Sequence, residues 1–246
     1  MSRWKAAAIH SSISIVVALA VGILLLGVWY PPPYFHAAGA DQLILLLVGV
    51  DLALGPLLTL IVFRSGKRGL AFDLATISLL QTAALIYGLS VVLQSRPIFL
   101  VGAVDRFVLV SANEITDDDL AAGSEDAFRS RSWTGPRLVS AVLPTDPKER
   151  SDLIDMAFTG RDIQNLPKYY RPYASVSQDL TAKAKPFASL LKKNTAKGIA
   201  EAWLRKSGRK EATVVYLPLQ ARKADLVMLL DAQSGEPLQA LAIDPW

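Results

Sequence analysis

The most chemically loaded position in the apolar part of the sequence is Asp51, near the middle of the apolar run 43–63 (LILLLVGVDLALGPLLTLIVF). A carboxyl at mid-bilayer costs about 3 kcal/mol on insertion scales, so it must face another helix, water or a partner. Four residues on, Gly55-Pro56 lacks one side chain and one backbone donor, a combination that can kink a helix and bare a carbonyl beside the carboxyl. Three readings follow. The carboxyl is protonated or hydrogen-bonded to Gln81 or Thr82, which lie at comparable depth in the next apolar run. It grips another protein's transmembrane helix in the Gly55-Pro56 notch, or it is a step on a proton or ion path. His10, near the start of the first run, reads as an interfacial side chain rather than a ligand.

Outside the apolar runs, the segment 166–173 (LPKYYRPY) gathers Tyr169, Tyr170 and Tyr173 around Arg171, with two prolines among its eight residues. Tyrosine and arginine are favoured at recognition surfaces, and proline stiffens a loop that presents them. The same rings could equally pack as a structural lid over a helix layer. Catalytic constellations are missing. The chain has no cysteine, and its two histidines are His10 and His36, so residues 97–246 hold neither a histidine-based triad nor a Cys- or His-ligated metal site. No phosphate-cradling glycine loop occurs, and Asp117-Asp118-Asp119 reads as the solvated first turn of a helix. No catalytic, cofactor-binding or metal-ligating residue is expected, and no cofactor.

These residues sit in two different environments. The chain is 52% hydrophobic with a mean hydropathy of +0.32, too apolar for an ordinary soluble domain unless the apolar residues are gathered into membrane spans. They are gathered: residues 1–96 carry only nine charged side chains, whereas residues 97–246 carry 20 of the 26 basic and 19 of the 22 acidic ones. The near balance in the second part argues against nucleic acid as a partner despite the pI of 9.3. Three runs are long enough to cross a hydrocarbon core, at about 6–29, 43–63 and 74–93. Trp4 and the Trp29-Tyr30 pair stand at the ends of the first as interfacial anchors. A cleaved signal peptide ending at Ala38-Gly39-Ala40 is the rival reading, disfavoured by the length of the apolar run and the intervening Pro31-Pro32-Pro33. Arg3, Lys5, Arg64, Lys67 and Arg68 all flank the same ends of the spans, and the loop between the first two spans has no Lys or Arg. This asymmetry predicts a cytoplasmic N-terminus and puts residues from about 97 onward outside the cytoplasm.

The predicted architecture is therefore a membrane α region with three transmembrane helices (1–96) and a C-terminal α+β extracytoplasmic domain (97–246), its sheet mainly antiparallel and covered by helices on one face. The stretch 98–112 predicts one strand or two bent at Asp105, and 137–143 another. The turn 144–147 leads into a helix to about 158, with Leu153, Ile154, Ala157 and Phe158 as its buried stripe. Helical signals recur at 176–193 and 195–206, and three strands at 212–219, 225–231 and 237–243 read as an antiparallel meander.

Particular residues also resemble a family. MSRWKAAAIH at the start, Val28-Trp29-Tyr30-Pro31-Pro32-Pro33, Gly49-Val50-Asp51-Leu52, the run from Leu54 to Phe63, Phe72-Asp73-Leu74 and Ala103-Val104-Asp105-Arg106-Phe107 are similar to the type IV pilin accessory proteins (the TfpX/TfpZ group). The likeness covers roughly residues 1–110, with a looser one at the tyrosine segment. It implies a non-enzymatic, chaperone-like protein of the bacterial inner membrane, periplasmic in its second part, that binds and stabilises a specific major pilin for pilus assembly. On that reading Asp51, Gly55, Pro56, Thr59 and Gln81 meet the pilin helix, Tyr169, Tyr170, Arg171 and Tyr173 meet its head, and membrane lipids surround the spans. Two other classes remain: an extracytoplasmic sensor or scaffold, and a small proton-coupled transporter subunit using Asp51.

Overall fold

The computed structural model describes residues 2–246. It opens with helix α1 (Arg3–Leu24), which runs on through a π-helical turn at Leu25–Trp29. A one-turn helix α2 (Tyr34–Ala37) leads into α3 (Ala40–Val62), and a short turn leads into α4 (Leu70–Ser95). Gly39 and Gly69, at φ 79° and 81°, begin α3 and α4 in the left-handed conformation that glycine adopts without a Cβ penalty. These three long helices are apolar and long enough to cross a bilayer. α3 packs against α1 on one side and α4 on the other. Large apolar side chains such as Leu45, Ile61, Leu79 and Ile86 point outward, as helices surrounded by lipid require.

The chain passes from α4 almost directly into strand β1 (Pro97–Ala103), which turns at Val104-Asp105 into β2 (Arg106–Ser111). The bend expected at Asp105 is this hairpin. Helix α5 (Asp117–Ala121) follows, with Thr116 capping it and the three aspartates in its first turn. Then come β3 (Arg137–Ala141), α6 (Pro147–Phe158), β4 (Tyr170–Pro172), α7 (Ser177–Thr181), β5 (Lys185–Pro186), α8 (Ala188–Lys192) and α9 (Asn194–Ser207). Strands β6 (Val214–Gln220), β7 (Leu226–Asp231) and β8 (Pro237–Leu241) close the chain as the antiparallel meander read from the sequence. The helical signal over 176–193 resolves into two short helices separated by β5.

The sheet runs β4-β3-β1-β2-β6-β7-β8, with β5 on β6, and it is mixed rather than mainly antiparallel. β1 pairs parallel with β3, and β2 parallel with β6. The physical reason lies in the first hairpin. Because Ser111 at the end of β2 sits opposite Pro97 at the start of β1, the excursion through α5 returns the chain to the beginning of β1, and the next strand can only run alongside it in the same direction. Pattern in the sequence specifies strands, not which edge each one joins.

Alternation sends side chains to two faces. Phe99, Val101, Val110 and Val139 join Leu153, Ile163 and Tyr170 in one core beneath α5 and α6, while Val214, Tyr216, Val227 and Leu229 meet Phe187, Ala200 and Trp203 of the α8–α9 layer. The other face, with Leu100, Phe107, Leu109, Leu217, Leu219 and Met228, packs with Tyr30, Ala37, Ala38 and Val92 into one continuous core. The sheet is thus seated on the loop between α1 and α3, and Ala38 and Ala40 of the small-residue motif are buried within it. The buried stripe expected on α6 needs correction: only Leu153 is buried, and Ile154 and Phe158 are exposed, Phe158 by 86%. α6 touches the sheet through a single row because its flank opens to solvent.

Candidate functional site

The residues singled out in the apolar runs converge on the seam between α3 and α4. Gln81 Nε2 donates to Asp51 Oδ1 at 2.8 Å and reaches the Asp51 carbonyl at 3.3 Å. Gly55 is buried one turn along, and a Cβ built there would overlap the Gln81 amide, so the missing side chain is what lets Gln81 close on Asp51. Pro56 stands inside α3 with no N–H for the Leu52 carbonyl one turn back, which loosens the backbone at this contact. Of the two partners the sequence suggested, Gln81 makes the bond, while Thr82 is exposed.

Thr59 is not part of this cluster. Its hydroxyl meets His10 Nδ1 at 2.6 Å across the other seam, between α1 and α3, where Thr59 is buried. His10 is accordingly an interhelical contact. The two polar pairs hold α3 to both neighbours, each hydrogen bond between membrane helices being worth about 0.5–2 kcal/mol.

Flanking Asp51 and Gln81, the α3 and α4 surfaces leave a groove of about 500 Å³. Leu47, Val50 and Leu54 line one wall, and Leu80, Ala84 and Gly88 the other. The floor is polar at one level only and the walls are apolar along several turns, the form that suits an apolar helix or acyl chain more than a polar ligand. Among the described residues, no cluster of three or more carboxylates and histidines is placed to hold a metal ion.

The tyrosine segment turns out differently from its expected role at a pilin head. Tyr169, Tyr170 and Tyr173 are all buried. The Tyr170 ring stands edge-on to Phe99 at 5.2 Å and to Phe128 at 6.0 Å, and its hydroxyl donates to the Gln164 carbonyl. Tyr173 packs against Phe107 at 5.8 Å, and its hydroxyl donates to the Gly235 carbonyl at 2.7 Å. Burial raises both phenols, Tyr173 to about 12 and Tyr170 further still. The reason is register: β4 pairs with β3, so Tyr170 is turned into the core and Arg171 outward. What the segment presents to solvent is Lys168, Arg171 and Pro172.

Sequence reasoning missed the ties that join the β6–β7 loop to α2 and the start of α3, and the end of α1 to α4. Lys223 donates its backbone N–H to the Ala37 carbonyl at 2.8 Å and its Nζ to Asp41 at 2.7 and 3.0 Å, while the Tyr30 hydroxyl donates to the Val92 carbonyl at 2.8 Å. Lys223 and Asp41 lie 182 residues apart, and no local pattern couples them.

Comparison with known proteins adds a family to this geometry. A family model described as "Fimbrial assembly protein FimB" matches residues 1–39. The fimbrial assembly protein of serogroup E1 from Dichelobacter nodosus is 32% identical over 232 residues, spanning 92% of this chain and 90% of the relative. Its serogroup I counterpart is 31% identical over the same shares. A third, from serogroups C1 and C2, is 35% identical over 118 residues, 47% of this chain. No solved structure matches.

Proposed function

Because this chain belongs to the fimbrial assembly protein family, consistent with the resemblance to type IV pilin accessory proteins, we propose that it serves pilus assembly as a chaperone-like membrane protein that holds a specific pilin. The relatives' names denote assembly rather than a reaction, and the role we assign is non-enzymatic. The observation that carries the reading is the groove of about 500 Å³ between α3 and α4, apolar along its walls and unfilled by any of the described residues. An apolar transmembrane helix from a pilin subunit lies in it, with the Asp51–Gln81 pair as the polar mark that sets its register. In the orientation given by the basic residues, α1 starts in the cytoplasm, residues 1–96 lie in the inner membrane, and residues 97–246 form the periplasmic part that faces the pilin head. Arg171 and Lys168 are the members of the tyrosine segment left to make that contact.

Photo-crosslinking in native membranes tests this. Probes at Leu54 and Ala84, in the groove, are expected to capture the pilin, and a probe at the outward-facing Val16 of α1 is not. Equal yields from all three positions, or no pilin from the groove, rule the groove out as the site.

A further inference from the structure

Arg96 follows the last residue of α4 and is only 4% exposed, an unusual place for a guanidinium. Its Nε donates to the Ser132 carbonyl at 3.2 Å and its Nη1 to the Leu93 carbonyl at 2.6 Å, and the exposed Trp133 ring lies 4.9 Å away. Among the described residues no carboxylate pairs with it. The neighbouring arginines do have partners, Arg131 with Asp117 and Arg129 with Asp126 at 2.9 Å. Burial and the charge of Arg131 both pull the Arg96 pKa down, as expected for a cation short of counter-charge, yet arginine stays protonated.

Arg96, Trp133 and the Arg131–Asp117 pair line one open groove of about 830 Å³ at the end of α4, together with Arg129, Leu93, Gln94 and Asn113. Its depth identifies the occupant. α4's apolar run ends at Leu93, so the groove opens at the level of the lipid headgroups, and Trp133, 65% exposed, is the aromatic type favoured there.

We propose that this groove binds the headgroup phosphate of an anionic phospholipid from the leaflet on the domain's side, with Arg96 as the principal phosphate ligand and Trp133 packing on the lipid. The inference rests on α4 crossing the bilayer and is independent of pilin binding. A charge-assisted guanidinium–phosphate bond supplies the counter-charge that the protein itself leaves out. A free anion would gain the same contact but not the apolar walls at Leu93 and Leu120.

The test is native mass spectrometry of the full chain in detergent, with phosphatidylglycerol and phosphatidylcholine as the added probes. The wild type is expected to retain phosphatidylglycerol about tenfold better than phosphatidylcholine. Arg96→Gln abolishes that preference, Arg96→Lys keeps part of it, and Trp133→Ala, at an exposed side chain that leaves the fold intact, weakens it. Retention unchanged in both Arg96→Gln and Trp133→Ala, or equal for the two lipids, overturns the proposal. So does displacement of the lipid by millimolar inorganic phosphate, which marks a free-anion site. Pilin capture from the α3–α4 groove is a separate readout, so either reading can fail alone.

Discussion

At the scale of single residues, the polar cluster in the apolar helices works because three residues fit each other. Asp51 is tolerated in α3 because Gln81 reaches it, and Gln81 reaches it because position 55 has no Cβ. Removing the amide strands the carboxyl in an apolar setting, which costs about 1–3 kcal/mol. Gln81→Leu is therefore expected to lower the thermal stability of the detergent-solubilised protein and its level in membranes. Asp51→Asn keeps an acceptor for Gln81 and is expected to be much milder. Equal behaviour of the two variants would show that the bond contributes nothing. The tyrosines make the opposite point: in 166–173 residue type suggested a recognition surface, but all three rings are buried, with the Tyr170 and Tyr173 hydroxyls on backbone carbonyls, and exposure falls to Arg171 and Lys168.

At the scale of elements, α6 shows what amphipathic spacing can and cannot say. Leu153, Ile154, Ala157 and Phe158 share a stripe on the helical wheel, yet only Leu153 meets the sheet. Leu153→Ala is expected to cost about 2–5 kcal/mol, whereas Phe158→Ser should stay within about 0.5 kcal/mol. Thermal unfolding of the two variants separates them, and a large loss in Phe158→Ser would restore the stripe as core. The three long helices and the closing meander were legible because each is written in local composition or period, and of the two readings open for 98–112 the one with a break at Asp105 is the β1–β2 hairpin. The parallel pairings of β1 with β3 and β2 with β6 were not, since they depend on where the chain comes back after the long excursions 112–136 and 112–213. The candidate site was legible in part for the same reason. The 51–55–56 spacing lies within one helix, but the partition of Gln81 to one seam and Thr59 to the other depends on how three helices rotate against each other. Buried Arg96, with its partner loop 36 residues away, gave no local signal at all.

At the scale of the whole molecule, the membrane helices and the sheet share a core instead of meeting across a linker. Tyr30 is fully buried between the end of α1 and α4, and the backbone of Ala37 accepts from Lys223 in the β6–β7 loop. The Lys223–Asp41 ion pair adds little by itself, since both side chains are close to a third exposed and such pairs are worth about 0–1 kcal/mol. Packing is the stronger tie. On the proposed function, in which a pilin is held by its helix in the bilayer and by its head outside it, those two surfaces must keep a fixed angle, and a shared core does so without a hinge. Hydrogen exchange of the full chain tests the coupling. The amides of 34–40 and of 221–225 are expected to exchange at matched rates, and Tyr30→Ala, which removes about 3–5 kcal/mol of packing, accelerates both together. If Tyr30→Ala loosens 34–40 while leaving the Lys223 amide protected, the sheet stands on its own and the angle between the two surfaces is set elsewhere.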